Sequence, residues 1–269
     1  MALTARIGRA MEAFHLLSTY AADWESRGAL AAAYRRTLRT TTDSTEIVVR
    51  LRVAGLVTPL HMRMCDIYTL GEILHERQYQ VRAPLPERPT IIDAGANIGI
   101  ATLWFLSQYP GAKLVCVEPD LSNFRLLQAN FDSRNDVILE QVALGAADES
   151  VTLHLAAHGA MHSVVDSGPA VGTLSVPQLR LDTLMDRHCI EHIDLLKLDV
   201  EGSEFDCVRG LGDRLANVRV IVGEFHERLV DEDAFYSYLD GNGFRQVHKT
   251  YFGTGRSDGV HAFEVVRDG

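Results

Sequence analysis

Residues 91–99, Ile-Ile-Asp-Ala-Gly-Ala-Asn-Ile-Gly, place Asp93 before two glycines, Gly95 and Gly99, four positions apart. Glycine lets a backbone turn tightly and approach a ligand closely. An apolar helical pattern, Ala101 with Leu103 to Leu106, begins at once. Its first turn would offer unpaired N–H groups and a partial positive charge. This is a nucleotide-binding turn, but of a particular kind. A dinucleotide fingerprint needs glycine at the third and sixth positions, where this chain has Asn97 and Ile100. A nicotinamide oxidoreductase is therefore disfavoured. Glu118-Pro119 ends the apolar stretch 113–117, about 20 residues after the glycine turn, where an acid is placed to accept hydrogen bonds from a ribose diol.

A second constellation could move a proton. In Asp194-Leu195-Leu196-Lys197-Leu198-Asp199-Val200-Glu201-Gly202-Ser203-Glu204, the acids Asp199 and Glu201 are two apart at the end of an apolar strand and tend to face one side. Lys197 reads as the ion partner that keeps buried acids soluble. Glu204 either faces the same crevice as a substrate contact or complements the dipole of the helix it opens. Val222-Gly223-Glu224-Phe225-His226 repeats the spacing with Glu224 and His226. If the two strands are neighbours, Asp199, Glu201, Glu224 and His226 meet at one mouth. Two chemistries stay open. His226 or a carboxylate takes a proton from a hydroxyl, or Asp199, Glu224 and His226 hold a divalent metal such as magnesium that acidifies it. His162-Ser163, in the glycine-rich stretch 156–172, would roof a substrate pocket, whereas His154 and His158 read as solvated.

These residues need a frame. From residue 90 onward strands and helices alternate, the mark of a mostly parallel sheet covered on both faces. Strands are expected at 90–93, 113–117, 136–140, 150–155, 174–179, 193–198 and 218–223, and helices at 98–108, 121–132, 203–211 and 231–242. A final pair, 244–251 and 259–266, reads as a hairpin turning near Gly253 and Gly255 that supplies an antiparallel edge. Pro84, Pro86 and Pro89 mark a boundary, because proline continues neither a helix nor a central strand. Residues 1–85 then form an N-terminal cap, a substrate lid or dimer contact, and residues 86–269 the ligand-binding domain. Within the cap, Leu3, Ile7, Met11, Phe14 and Leu17 fall at helical spacing, 29–38 reads as a helix, 46–53 and 57–64 as a hairpin, and Asp66 as the cap of a helix ending near Tyr79.

The loop D-x-G-x-x-x-G resembles that of class I S-adenosylmethionine (SAM) methyltransferases. With Glu118-Pro119, Leu181-Asp182-Thr183-Leu184 and the run Asp194 to Glu204, residues 45–250 resemble the FkbM family of SAM-dependent methyltransferases. The resemblance implies a Rossmann-like, seven-stranded α/β sheet. It also implies O-methyl transfer to a hydroxyl of a polyketide, sugar or related natural product. On that reading Asp93, Gly95, Ala96, Asn97 and Gly99 hold the amino-acid end and backbone of SAM, and Glu118 with Pro119 the ribose. Gln141, Val142 and Ala143 contact adenine, and Asp199 faces the methionine amine or the acceptor. A nucleic-acid or protein methyltransferase and a non-catalytic SAM-binding protein remain as alternatives.

The bulk numbers agree with a small-molecule enzyme. At 269 residues, 46% hydrophobic and 23% charged, the chain is an ordinary globular one. A formal net charge of −10 argues against a broad phosphate-contacting surface. Cys65, Cys116, Cys189 and Cys207 show no paired spacing and read as reduced thiols of a cytoplasmic protein. No apolar run reaches membrane-spanning length. The amphipathic pattern at 3–20 makes a homodimer an expectation.

Overall fold

The computed structural model describes residues 8, 11–156, 162–165, 171–251 and 259–268. Strands β1 (Glu46–Val53) and β2 (Leu56–Arg63) form an antiparallel hairpin across Ala54-Gly55, both at positive φ. The main sheet follows the proline-rich segment. It is built from β3 (Thr90–Ala94), β4 (Lys113–Val117), β5 (Val137–Glu140), β9 (Ile193–Leu198), β10 (Val218–His226), β11 (Phe244–Tyr251) and β12 (Val260–Arg267). The order is β11-β12-β10-β9-β3-β4-β5, parallel from β10 to β5, with β12 antiparallel to both β10 and β11. The chain thus runs outward from β3 to β5 and later returns to β3's other side with β9. That reversal opens a crevice beyond the strand ends, where open α/β sheets bind ligands. Strands β6 (Ala143–Leu144), β7 (Glu149–Leu155) and β8 (Gly172–Leu179) make a separate three-stranded sheet.

Period-two alternation sends neighbouring residues to opposite faces. Ile91, Leu114 and Leu195 join one core, and Ile92, Val115 and Leu196 the other. Helices Ile100–Gln108 and Leu121–Phe131 cover the first face, while Leu181–Arg187, Glu204–Arg209 and Glu232–Gly241 cover the second. The first core also takes in Leu16, Leu30, Leu51, Met62 and Leu70, so the N-terminal region packs on the sheet rather than standing apart.

Most expected elements form within a few residues of the sequence reading, and the departures have local causes. The helix after the glycine turn begins at Ile100, because Gly99 sits in the left-handed region at φ 90°. Strand β10 runs on to His226 because β12 pairs with it through Val260. Asp66 does not cap the helix Ile67–Leu74. Its carboxylate instead accepts from the backbone and guanidinium of Arg63, a buried ion pair. That helix ends five residues before Tyr79, which lies in the following loop. Helix Leu181–Arg187 arises from the L-D-T-L run, for which the sequence suggested no element. Residues 11–15 are helical and continue as a π-helical turn, Leu16–Tyr20. Leu16 is buried there, but Met11 and Phe14 are exposed, so the expected apolar face is only partly used. Leu3, Ile7, His158, Gly253 and Gly255 lie outside the described residues. Among the described residues no helix is long and apolar enough to cross a membrane.

Candidate active site

One cavity of about 530 Å³ lies across the C-terminal ends of β3, β4, β9 and β10. Its first lobe follows from the glycine turn. Gly95 adopts φ 75° and Asn97 φ 50°, and the N–H groups of Gly95 and Ala96 both bond the Val117 carbonyl. The glycines are required by packing more than by ligand approach. A Cβ on Gly95 would run into the Asp199 carbonyl oxygen, and one on Gly99 into the Phe131 ring.

Glu118 closes this lobe. Its Oε2 accepts the Asn97 N–H at 2.9 Å; its Oε1 accepts the Asp120 N–H at 2.9 Å and the Asn123 side-chain amide at 3.2 Å. A carboxylate offers about four acceptor positions, so one remains, on the oxygen facing the turn. Burial outweighs these donors and pushes the Glu118 carboxyl up to about 7. Pro119, Val142, Ala143 and Leu144 supply adjoining wall. Gln141 is exposed and does not line the cavity, because the backbone there leaves β5 and turns toward β6.

Asp93 also lies outside the cavity, contrary to the sequence expectation. It is fully buried beneath the turn, pairs with Lys197 across β3 and β9, and accepts the Thr102 hydroxyl at 2.7 Å. Gly99 likewise packs inward. Lys197 has its Nζ 3.1 Å from Asp93 and 3.5 Å from Asp199. It donates to the carbonyls of Gly95 at 2.6 Å and Ala94 at 3.3 Å. Burial alone would lower its pKa, but Asp93 and Asp199 outweigh that and raise it. The ion-partner role read from sequence is its geometry here.

The second lobe gathers Asp199, Glu201, Glu224 and His226. Glu224 and His226 share a face because β10 continues through both. Asp199 and Glu201 meet them by a different route from strand alternation: β9 ends at Leu198, and a turn with Glu201 at φ 51° and Gly202 at φ 98° brings Glu201 back. His226 lies between carboxyls, with Nδ1 2.8 Å from Glu204 and Nε2 3.2 Å from Glu201. Burial works against its charge, but the hydrogen bond and charge of Glu204, with Glu201 and Glu224, push His226 up to about 10. The imidazole is therefore a cation at neutral pH. With a carboxyl on each ring nitrogen, His226 is poorly placed to act as general base, which leaves the carboxylates of the same reading.

The ligand set of the metal reading also changes. Ligand atoms of Asp199, Glu201 and His226, rather than of the Asp199, Glu224 and His226 expected, lie within 4.8 Å of one another. An imidazolium donates hydrogen bonds and has no lone pair for a metal. Without a metal the group is an ion cluster centred on His226, and a divalent ion would bind there by displacing the imidazole proton.

Glu204 is fully buried behind His226 and touches no cavity wall. Ser163 is buried too, its hydroxyl bonding the Glu201 carbonyl, so it anchors its loop rather than meeting substrate. His162 does line the cavity, its Nδ1 accepting the Ala156 N–H at 2.9 Å.

The sequence reading named no wall residues from the N-terminal region. The structure supplies Tyr68, Glu72, Gln78 and Tyr79. Tyr79 donates to Asp199 at 2.8 Å with the Lys197 ammonium over its ring, and the Gln78 amide contacts Glu224. One signal was available: Glu72 is an acid within the apolar run Leu70 to Leu74. Burial and neighbouring charges raise Glu201 to about 8 and raise Glu224 as well.

Comparison with known proteins bears on this geometry. Residues 93–246 match the family model described as Methyltransferase FkbM domain. "Methyltransferase 1" of Beauveria bassiana is 32% identical over 164 residues, covering 53% of this chain and 66% of that protein. "2-O-methyltransferase NoeI" of Sinorhizobium fredii is 26% identical over 156 residues, covering 52% and 64%. The crystal structure of Methyltransferase FkbM from Methylobacillus flagellatus superposes with a TM-score of 0.52 at 17% identity, covering 96% of this chain and 60% of that one. The chain thus spans about two thirds or less of each of these proteins. The structural likeness shows the shared fold.

Proposed function

This chain belongs to the FkbM methyltransferase family, and from that premise we propose that it transfers a methyl group from SAM to a hydroxyl of a small molecule, a polyketide, sugar or related natural product. The observation that carries the reading is the two-lobed cavity. One lobe ends at a carboxylate with a free acceptor position, and the other is lined by acids at the strand ends. A hydroxyl as acceptor also accords with the name of the relative NoeI, a 2-O-methyltransferase.

SAM would supply a methyl group already activated by its sulfonium. The residues present fit it: Glu118 Oε2 would accept one ribose hydroxyl, Val142 and Ala143 would flank the adenine, and the Gly95-Ala96-Asn97 backbone would border the methionine end. Asp199, held by Tyr79 and Lys197, would face the methionine amine or the acceptor. The carboxyl oxygens of the second lobe would offer hydrogen-bond acceptors to the donor's ammonium group. This lobe disfavours a phosphate-bearing acceptor, because Lys197 and His226 are already bonded to acids. The protein aligns donor carbon with acceptor oxygen and excludes water. The N-terminal region serves as the wall on the acceptor side, and the cytoplasm is the setting this reading implies.

Calorimetry with SAM and S-adenosylhomocysteine tests the first lobe. Labelled methyl transfer to a panel of hydroxylated metabolites, with and without EDTA, tests the second. Methyl groups on hydroxyl oxygens, unaffected by EDTA, are the expected outcome. Methylation of nucleic acid or protein in place of small molecules would overturn the reading.

A further inference from the structure

With both His226 nitrogens against Glu204 and Glu201, the base falls to a carboxylate, the other option the sequence offered. The carboxyls of the second lobe differ in what they are free to do. Asp199 is bonded to Tyr79 and Lys197, Glu224 contacts Gln78, and Glu201 sits 3.2 Å from His226. Glu72 differs from all three. Among the described residues its carboxylate makes neither hydrogen bond nor ion pair. It projects from helix Ile67–Leu74 on the same side as Tyr68, one helical turn before it, and both line the cavity. It lies near enough to Asp199 and Glu224 for their charges to act on one another. Protein surrounds most of its side chain, yet solvent reaches the carboxyl, which gives a collected proton a way out.

We propose that Glu72 is the general base, taking the proton of the acceptor hydroxyl as that oxygen is methylated. The proposal rests on the O-methyl transfer reading above. The O–H bond breaks and its proton passes to a Glu72 oxygen. The hydroxyl's electron pair forms the O–CH3 bond, and the C–S pair returns to sulfur, leaving a neutral thioether. Glu72 then releases the proton to water, so atoms and charge balance over the cycle. The titration of Glu72 suits the task. Burial, then the charges of Glu76, Asp199 and Glu12, raise it to about 7, where a base is half ionised at neutral pH. Glu72 lies outside residues 93–246, the part matched to the family model.

The test compares wild type with Glu72→Gln and Glu72→Asp. S-adenosylhomocysteine affinity is measured by calorimetry, and transfer rate against pH on an acceptor found in the panel. The Glu72 carboxyl is titrated by carbon-13 NMR of glutamate-labelled protein, its signal assigned by its absence in Glu72→Gln. In Glu72→Gln we expect transfer to fall about 10²- to 10⁴-fold and S-adenosylhomocysteine affinity to stay within about twofold. The wild-type rate should rise with pH through about 7, a limb lost in Glu72→Gln and kept in Glu72→Asp, and the signal should titrate near the same value. A Glu72→Gln rate within about threefold of wild type, with the limb intact, overturns the proposal. So does a carboxyl titrating at the ordinary glutamate value. The two readings fail separately. Methyl transfer to nitrogen or carbon would end the O-methyl reading, while the variant's pH limb still judges Glu72. If no panel acceptor is turned over, or Glu72→Gln binds no S-adenosylhomocysteine, the titration decides alone.

Discussion

Lys197→Met removes the one buried cation between β3 and β9 while keeping a side chain of similar length. Lys197 is 2% exposed and Asp93 is 0% exposed, their charges 3.1 Å apart. After the change Asp93 keeps only the Thr102 hydroxyl. Asp199 suffers less, since it retains Tyr79 and is 25% exposed toward the cavity. Two carbonyls, of Ala94 and Gly95, lose a donor. Leaving one partner of a buried ion pair uncompensated costs about 3–5 kcal/mol, and the lost carbonyl bonds place this case near the middle, ~4 kcal/mol. Against a typical total stability of about 5–15 kcal/mol, the loss is a large share. For a chain of this size it corresponds to a fall in Tm of roughly 10 °C. Urea unfolding followed by circular dichroism at neutral pH measures it. The double variant Lys197→Met/Asp93→Asn removes the stranded charge and is expected to recover about half of the loss. A single-variant loss below about 1 kcal/mol, or a double variant less stable than the single, would refute the account of Lys197 as the counter-charge that makes Asp93 tolerable.

Glu118→Ala is expected to weaken SAM binding and also to lower stability by ~1–3 kcal/mol, because the Asn97 and Asp120 N–H groups lose their acceptor; unchanged calorimetric affinity would remove the ribose role. His226 has a folded-state pKa raised from 6.5 to about 10. Its contribution is therefore fully present below pH 6.5 and lost as pH rises through about 10. Unfolding free energies of wild type and His226→Gln should accordingly converge with rising pH, and a gap that stays constant would show that the imidazole is not held protonated. Gly99→Ala should destabilise the fold by more than the ~1–2 kcal/mol of left-handed backbone strain, since its Cβ would also meet the Phe131 ring; a near-native Tm in thermal unfolding would contradict this.

The sheet and its helices were legible because they are written locally. Alternation in Ile91-Ile92 and Leu195-Leu196 assigns faces, and Gly95 and Gly99 mark a turn that few other residues enter. The ionisable residues at strand ends were legible for the same reason: Glu118, Glu224 and His226 sit at or near the last positions of β4 and β10 and line the cavity. Asp93, Gln141, Ser163 and Glu204 do not line the cavity as expected, because neither spacing nor the family resemblance says whether a side chain faces the cavity or a neighbour packed behind it.

What the sequence by itself determined, then, was the order of elements, the nucleotide turn and the strand ends that would carry acids, all consequences of short-range periodicity and turn chemistry. What the tertiary structure decided was ionisation and company. His226 became a cation because Glu204 and Glu201 close on it, and Lys197 became a counter-charge because β9 lies beside β3. Glu72, Gln78 and Tyr79 entered the cavity from far along the chain. Burial and charge pairing depend on distances between residues remote in sequence, and no local pattern records those distances.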